Sequence, residues 1–167
     1  MITLFCGSRS WNDSVSVRQV VADLVKDGLY CAIHGAAPGA DEISGVEASK
    51  LDIHVVEFPA YWETLGLAAG PERNGRMLKS MLGFKRAWGV TVQCVGFHES
   101  ALLGSGTRDM ISKCMRADVP SRIVLSCDLE ITKSQGCECG NSLDAHPSLY
   151  YAPGVRLLCT GFGHRSL

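Results

Sequence analysis

The chain has almost no net charge: 16 Lys and Arg against 17 Asp and Glu give −1 over 167 residues. That balance excludes a general electrostatic pull toward nucleic acid or anionic membranes, although it leaves room for a local basic site. No apolar run approaches the ~20 residues that span a bilayer. The N-terminus, MITLFCGSRSW, has neither a basic leader nor a long apolar stretch, so it does not read as a signal peptide. Internal repeats and low-complexity tracts are absent, as are a Walker A loop, a GxGxxG fingerprint and any pair of CxxC knuckles. These absences set the expectation of a cytoplasmic globular protein of one ordinary domain with a short appendage.

What is present is an alternation of apolar runs and helix-like segments over residues 1–126. The runs ITLFC, YCAIH, IHVVEF, VTVQCVGF and RIVLSC read as strands, and VSVRQVVADLVKDG, the segment from Asp41 to Lys50, the segment after Gly70 and TRDMISKCMRA as helices. Continuous apolar strands separated by helices imply a parallel sheet covered on both faces. The fold class is therefore α/β, a Rossmann-like doubly wound parallel sheet with a short loop-rich C-terminal extension over residues 127–167. Cys6, Cys31, Cys94 and Cys114 fall in these apolar elements and read as buried small hydrophobes.

In such a sheet ligands bind beyond the carboxyl ends of the strands, and the loops there are unusual. CGSRSW follows the first strand: Gly7 allows close backbone approach, Ser8 brings a hydroxyl and Arg9 a planar fork for phosphate or carboxylate. Trp11 can pack nearby. HGAAPGADEISG follows the second, with Gly35 and Gly39 before a helix whose first turn holds Asp41, as a ligand contact or a helix cap. His34 ends that strand, a position that is more often structural than catalytic. FPAYW follows the third, where Trp62 can wall a pocket or stack on a base. HESALLGSGTRDM follows the fourth, with Gly104, Ser105, Gly106 and Thr107 at a helix start able to cradle a phosphate.

AAGPERNGRML raises a separate question. Gly70 and Pro71 suit a turn and a first helical turn, which would set Arg73, Asn74 and Arg76 at the positive end of a helix dipole, where cations are disfavoured. A bound anion shared by the arginines and the helix is the expected answer, with Arg73 the stronger contact, because one of the two can instead serve a salt bridge or a subunit interface.

CGSRSW, HGAAPGADEISG, FPAYW…AAGPERNGRML and GSGTRDMI, in this order, resemble the YspA/YpsA-related branch of the SLOG superfamily, which also holds LOG-type and DprA/Smf proteins. The resemblance covers residues 1 to about 125. It implies a Rossmann-like domain that binds nucleotides or nucleotide-derived ligands, often in dimers, and Glu72-Arg73 matches the ERK-like helix start of LOG-type proteins, so Arg73 carries over as a phosphate or ribose contact; the loop glycines, Arg9, Trp62 and Asn74 are ligand contacts on their own chemistry. LOG-type enzymes cleave the N-glycosidic bond of nucleoside monophosphates, with a glutamate shortly after a GGxGT loop. That glutamate falls at Met110 here, which cannot act as acid, base or cation stabiliser. The remaining carboxylates are Asp41, Glu42, Glu99 and Asp109, with Asp41 and Asp109 as weak catalytic candidates. The resemblance therefore favours a sensor or sponge of a nucleotide-derived signalling ligand, with a phosphoribohydrolase-like enzyme as the alternative and DprA-like single-stranded DNA binding third. A homo-oligomer is expected; a nucleic-acid partner is not, and no cofactor is required.

The extension carries Cys137-x-Cys139, His146, Cys159 and His164. Cys137, Cys139, His146 and Cys159 make a weak match to a structural zinc site, which prefers two CxxC knuckles. Such a metal would serve to pin a segment that lacks its own core.

Overall fold

The computed structural model describes residues 1–100, 103–126 and 155–159, the last five by backbone alone. Strand β1 (Ile2–Gly7) is the spine of the sheet, paired in parallel with β2 (Cys31–His34) on one side and β4 (Val92–His98) on the other. Beyond β2 lies β3 (His54–Glu57), and beyond β4 lie β5 (Ser121–Leu125) and β6 (Val155–Cys159), all parallel. The order β3-β2-β1-β4-β5-β6 is that of a doubly wound, Rossmann-like sheet.

Strand β1 is buried on both faces, which is why it reads as an unbroken apolar run. Its residues alternate with period two. Ile2, Leu4 and Cys6 meet Met77, Met81, Met110 and Cys114, while Phe5 meets Val17, Val21 and Leu24. The first set lies under α4 (Ala69–Trp88) and α5 (Ser105–Arg116), which pack on each other. The second lies under α1 (Ser14–Lys26), which packs on α2 (Ala40–Ser49). A short α3 (Trp62–Leu65) and a 3-10 turn (Gly66–Ala68) lead into α4.

Local signals explain the helix limits. Asp13 caps α1 by accepting the Ser16 N–H at 3.0 Å. Gly89, at φ +64°, stops α4 in the left-handed conformation, its N–H donating to the Lys85 carbonyl at 2.9 Å. Helix α4 starts earlier than expected, at Ala69, so Pro71 falls inside its first turn, where a missing N–H costs nothing. Arg73 and Arg76 are therefore past the first turn rather than at the helix end.

The extension contributes to the sheet. Residues Val155–Cys159 pair with β5 in register from Ser121↔Val155 to Leu125↔Cys159. The sequence of the extension holds two short β-like runs, this one and residues 129–132, and the latter lies outside the described residues.

Candidate functional site

Because every strand is parallel, all the glycine loops emerge on one edge. Strand order reverses between β1 and β4, opening a crevice at their carboxyl ends. Three glycines let backbone close in around it. A Cβ on Gly7 would lie 2.3 Å from the Phe97 carbonyl oxygen and 2.5 Å from the Ala40 Cβ, so the glycine is what lets the start of α2 reach β1. Gly39 has φ +78°, and a Cβ there would sit 2.5 Å from the Ser8 carbonyl oxygen. That same carbonyl accepts the Ala40 N–H at 3.1 Å, fixing the first loop to the second.

The third glycine belongs to a node joining three elements. Arg73 Nη1 donates to the Gly35 carbonyl at 2.5 Å and lies 3.3 Å from Asp41 Oδ2, which also accepts the Gly35 N–H at 3.0 Å. A Cβ on Gly35 would fall 1.6 Å from Arg73 Nη1, so the guanidinium occupies the space a side chain would need. Asp41 is buried and is not the cap of its helix; Gly39 holds that position without a side-chain bond. Burial pushes the Asp41 pKa up to about 6, against the opposing pull of Arg73, the Gly35 and Ala37 amides and Arg9. The Nε of Arg73 is buried with no protein acceptor.

The neighbouring residue ties in the fourth loop. The Asn74 amide is buried and donates to the Gly106 carbonyl at 3.2 Å and to Asp109 Oδ2 at 2.9 Å. Asp109 also pairs with Lys113, so its carboxylate is occupied on both oxygens. Gly104, Ser105 and Gly106 are exposed at the start of α5, while Thr107 turns inward. Gly104 donates its N–H to His98 Nε2 at 2.9 Å, and the first amides of α5 lack acceptors within the helix. Met110 is fully buried in the core.

The aromatic loop is held by arginines. Arg9 Cζ lies 5.2 Å from the ring centre of half-exposed Trp62. Arg76 does not join the cradle. Its Nε donates to both Glu72 carboxylate oxygens at 2.9 Å, Nη2 donates to the Pro59 carbonyl at 2.8 Å, and its Cζ sits 4.6 Å from the Tyr61 ring centre. Each arginine has a carboxylate partner, Asp41 for Arg73 and Glu72 for Arg76, and for Arg76 the salt bridge was the alternative open in the sequence.

One neighbour of the crevice, Ser10, was not singled out in the sequence, while Glu99 was among its candidate carboxylates. Ser10 shares a 2.9 Å hydroxyl contact with Ser8, and both act on the Glu99 carboxylate from the loop after β4. Burial raises the Glu99 pKa, but its own backbone N–H, Ser8 and Ser10 outweigh that and hold it below the usual range. Serine spacing in CGSRS was the available signal. Glu42, by contrast, lies away from this crevice, on α2 facing the edge of the sheet.

Among the described residues no cluster of three or more His, Cys, Asp or Glu is arranged to hold a metal, and no helix is long and apolar enough to cross a membrane. Cys6, Cys31, Cys94 and Cys114 are buried free thiols. Cys137, Cys139 and His146 lie outside the described residues, and Cys159 is described by its backbone alone. The fold and crevice together define a doubly wound α/β protein with glycine-lined loops at its crossover. No protein-family model matches the chain, and no curated protein matches it.

Proposed function

We propose that the crossover binds a nucleotide or nucleotide-derived signalling ligand by its phosphate, and that the protein acts as a sensor or sponge. The observation that carries this reading is the Arg73 node. One guanidinium spans the β2 loop and α2, and the next residue, Asn74, spans to the loop that opens α5. The exposed start of α5 supplies amides, and Arg9 supplies a second, exposed cation. The carboxylates argue for binding over hydrolysis. Asp41 is spent on Arg73 and Gly35, Asp109 on Asn74 and Lys113, and Met110 is core.

N-glycosidic hydrolysis is the second reading, and Glu99 favours it. It is an exposed carboxylate influenced by the Ser8 and Ser10 hydroxyls of the loop after β1, at the carboxyl end of β4 beside the crevice. The test is a thermal-shift panel of AMP, GMP, ADP and NAD on the wild type and on Arg9→Ala, followed by chromatography of each incubated nucleotide. Stabilisation by one or more nucleotides, weakened in the variant and without release of free base, supports the binder. Release of base that stops in Glu99→Gln supports the enzyme. No shift and no release with any nucleotide contradicts both.

A further inference from the structure

His98 holds the start of α5 without being one of its expected ligand contacts. It is the last residue of β4, and only 12% of its side chain is exposed. Gly104 caps α5 with no side-chain bond of its own. The His98 ring closes the turn between them. Its Nε2 accepts the Gly104 N–H at 2.9 Å, while its Nδ1 lies 3.0 Å from the Ser100 carbonyl oxygen and 3.2 Å from the Ser100 amide.

These contacts select one form of the ring. Nε2 can accept only if it carries no proton, so the proton of the neutral ring is on Nδ1. The two Ser100 contacts share Nδ1, and with a proton there the carbonyl is its acceptor. The opposite tautomer would set Nε2–H against the Gly104 N–H, two donors 2.9 Å apart. Glu99 Oε2, 3.8 Å from Nδ1, also favours a proton on that side.

The consequence falls on the amides of α5. The first helical bond runs from the Arg108 N–H to the Gly104 carbonyl, so Gly104, Ser105, Gly106 and Thr107 have no acceptor within the helix. His98 takes the Gly104 amide and leaves the other three at the positive end of the helix. A separate observation points to a ligand there. Thr107 is 4% exposed, and its methyl would stand 3.7 Å from a Cβ on Gly96 of β4. Its hydroxyl nevertheless has no hydrogen-bond partner among the described residues and is not sealed from solvent. A hydroxyl so placed calls for a partner. Three adjacent N–H groups and one O–H suit a tetrahedral oxyanion. We propose that His98 is a positioning residue for a phosphate at the start of α5. The neutral ring, protonated on Nδ1, withdraws the Gly104 amide and fixes the next three, with the Thr107 hydroxyl as a fourth donor. The role rests on the phosphate reading of the crossover, and it names the donors and what holds them in place.

The experiment is titration of the full chain with inorganic pyrophosphate and with AMP, read by calorimetry and by nitrogen and amide NMR, each variant being checked for folding by circular dichroism. His98→Gln keeps an acceptor near the Nε2 position, whereas His98→Asn is polar but too short to reach Gly104. The glutamine variant should bind both probes within about threefold of wild type and the asparagine variant about tenfold more weakly, the worth of one hydrogen bond. Thr107→Val keeps the shape, removes the hydroxyl and should weaken both probes by about the same factor as the asparagine variant. In the wild type at about pH 8, Nδ1 should carry the proton and Nε2 none. The probes should shift the Ser105, Gly106 and Thr107 amides more than that of Gly104. Equal binding by the glutamine and asparagine variants, a proton on Nε2, or a Gly104 amide that shifts as much as its three neighbours overturns the role. The last two are read on wild-type protein, so they decide even where a variant does not fold. Wild-type protein that binds neither probe overturns the phosphate reading and the role of His98 together, whereas binding indifferent to His98 overturns the role alone.

Discussion

Asp41 and Arg73 meet in a space that admits no side chain on Gly35, and the consequences are measurable at single residues. The folded pKa of Asp41, about 6, exceeds the ordinary 3.8, so the folded state holds the extra proton between those values. Its contribution to stability is therefore fully present below about pH 4 and is lost as pH rises through 6. A shift of that size is on the order of 3 kcal/mol between the two limits. His34, with a lowered pKa, acts in the opposite sense: its contribution is present above its ordinary 6.5 and is lost as pH falls. Comparing Asp41→Asn with wild type isolates the first term. The wild type should gain melting temperature relative to the variant as pH falls from 8 to 4.5; a difference that stays flat would show that Asp41 does not titrate in this window. Gly35→Ala should displace the guanidinium, destabilise the fold by about 1–3 kcal/mol in a denaturant melt and weaken nucleotide binding. A variant with wild-type stability and affinity would show that the close Gly35–Arg73 packing is unimportant.

Individual elements differ in what they carry. Helix α4 serves the core through Met77 and Met81, the crevice through Arg73 and Asn74, and the aromatic loop through Arg76. Met77→Ala should cost about 2–5 kcal/mol in a denaturant melt while leaving ligand affinity near wild type at temperatures where the protein stays folded. A large affinity loss without a stability loss would reverse that assignment. Arg76→Ala removes the bond to the Pro59 carbonyl and the contact with Tyr61. Limited chymotrypsin digestion should then cut sooner at Tyr61 and Trp62; unchanged digestion would mean that other contacts hold the loop.

Seen as a whole molecule, the architecture was written in pattern. Five apolar runs with helices between them give the parallel sheet, because a strand covered on both faces has no polar side to show. The glycine loops were readable because close backbone approach demands glycine, as at Gly7, Gly35 and Gly39. The partners of the two arginines differ in how far the sequence reports them. Glu72 stands at the i−4 position from Arg76 and was legible as a helix pair. Asp41 lies 32 residues from Arg73 and is brought there only by the fold. Asn74 suited a ligand contact by sequence, yet its amide is committed to bracing α5. Sheet pairing by Val155–Cys159 was likewise hidden, since a five-residue apolar run does not name its neighbour.

The most direct measurement of the central claim is mass spectrometry of the small molecule that co-purifies with the protein, released by mild denaturation, for the wild type, Arg73→Ala and the exposed Arg9→Ala. The account predicts an intact phosphate-bearing nucleotide in stoichiometric amount from the wild type and its loss or sharp reduction in both variants, with the variants still folded by circular dichroism. Wild-type protein that yields no such molecule and does not take up nucleotide on incubation, or folded variants that retain it in full, would contradict the account.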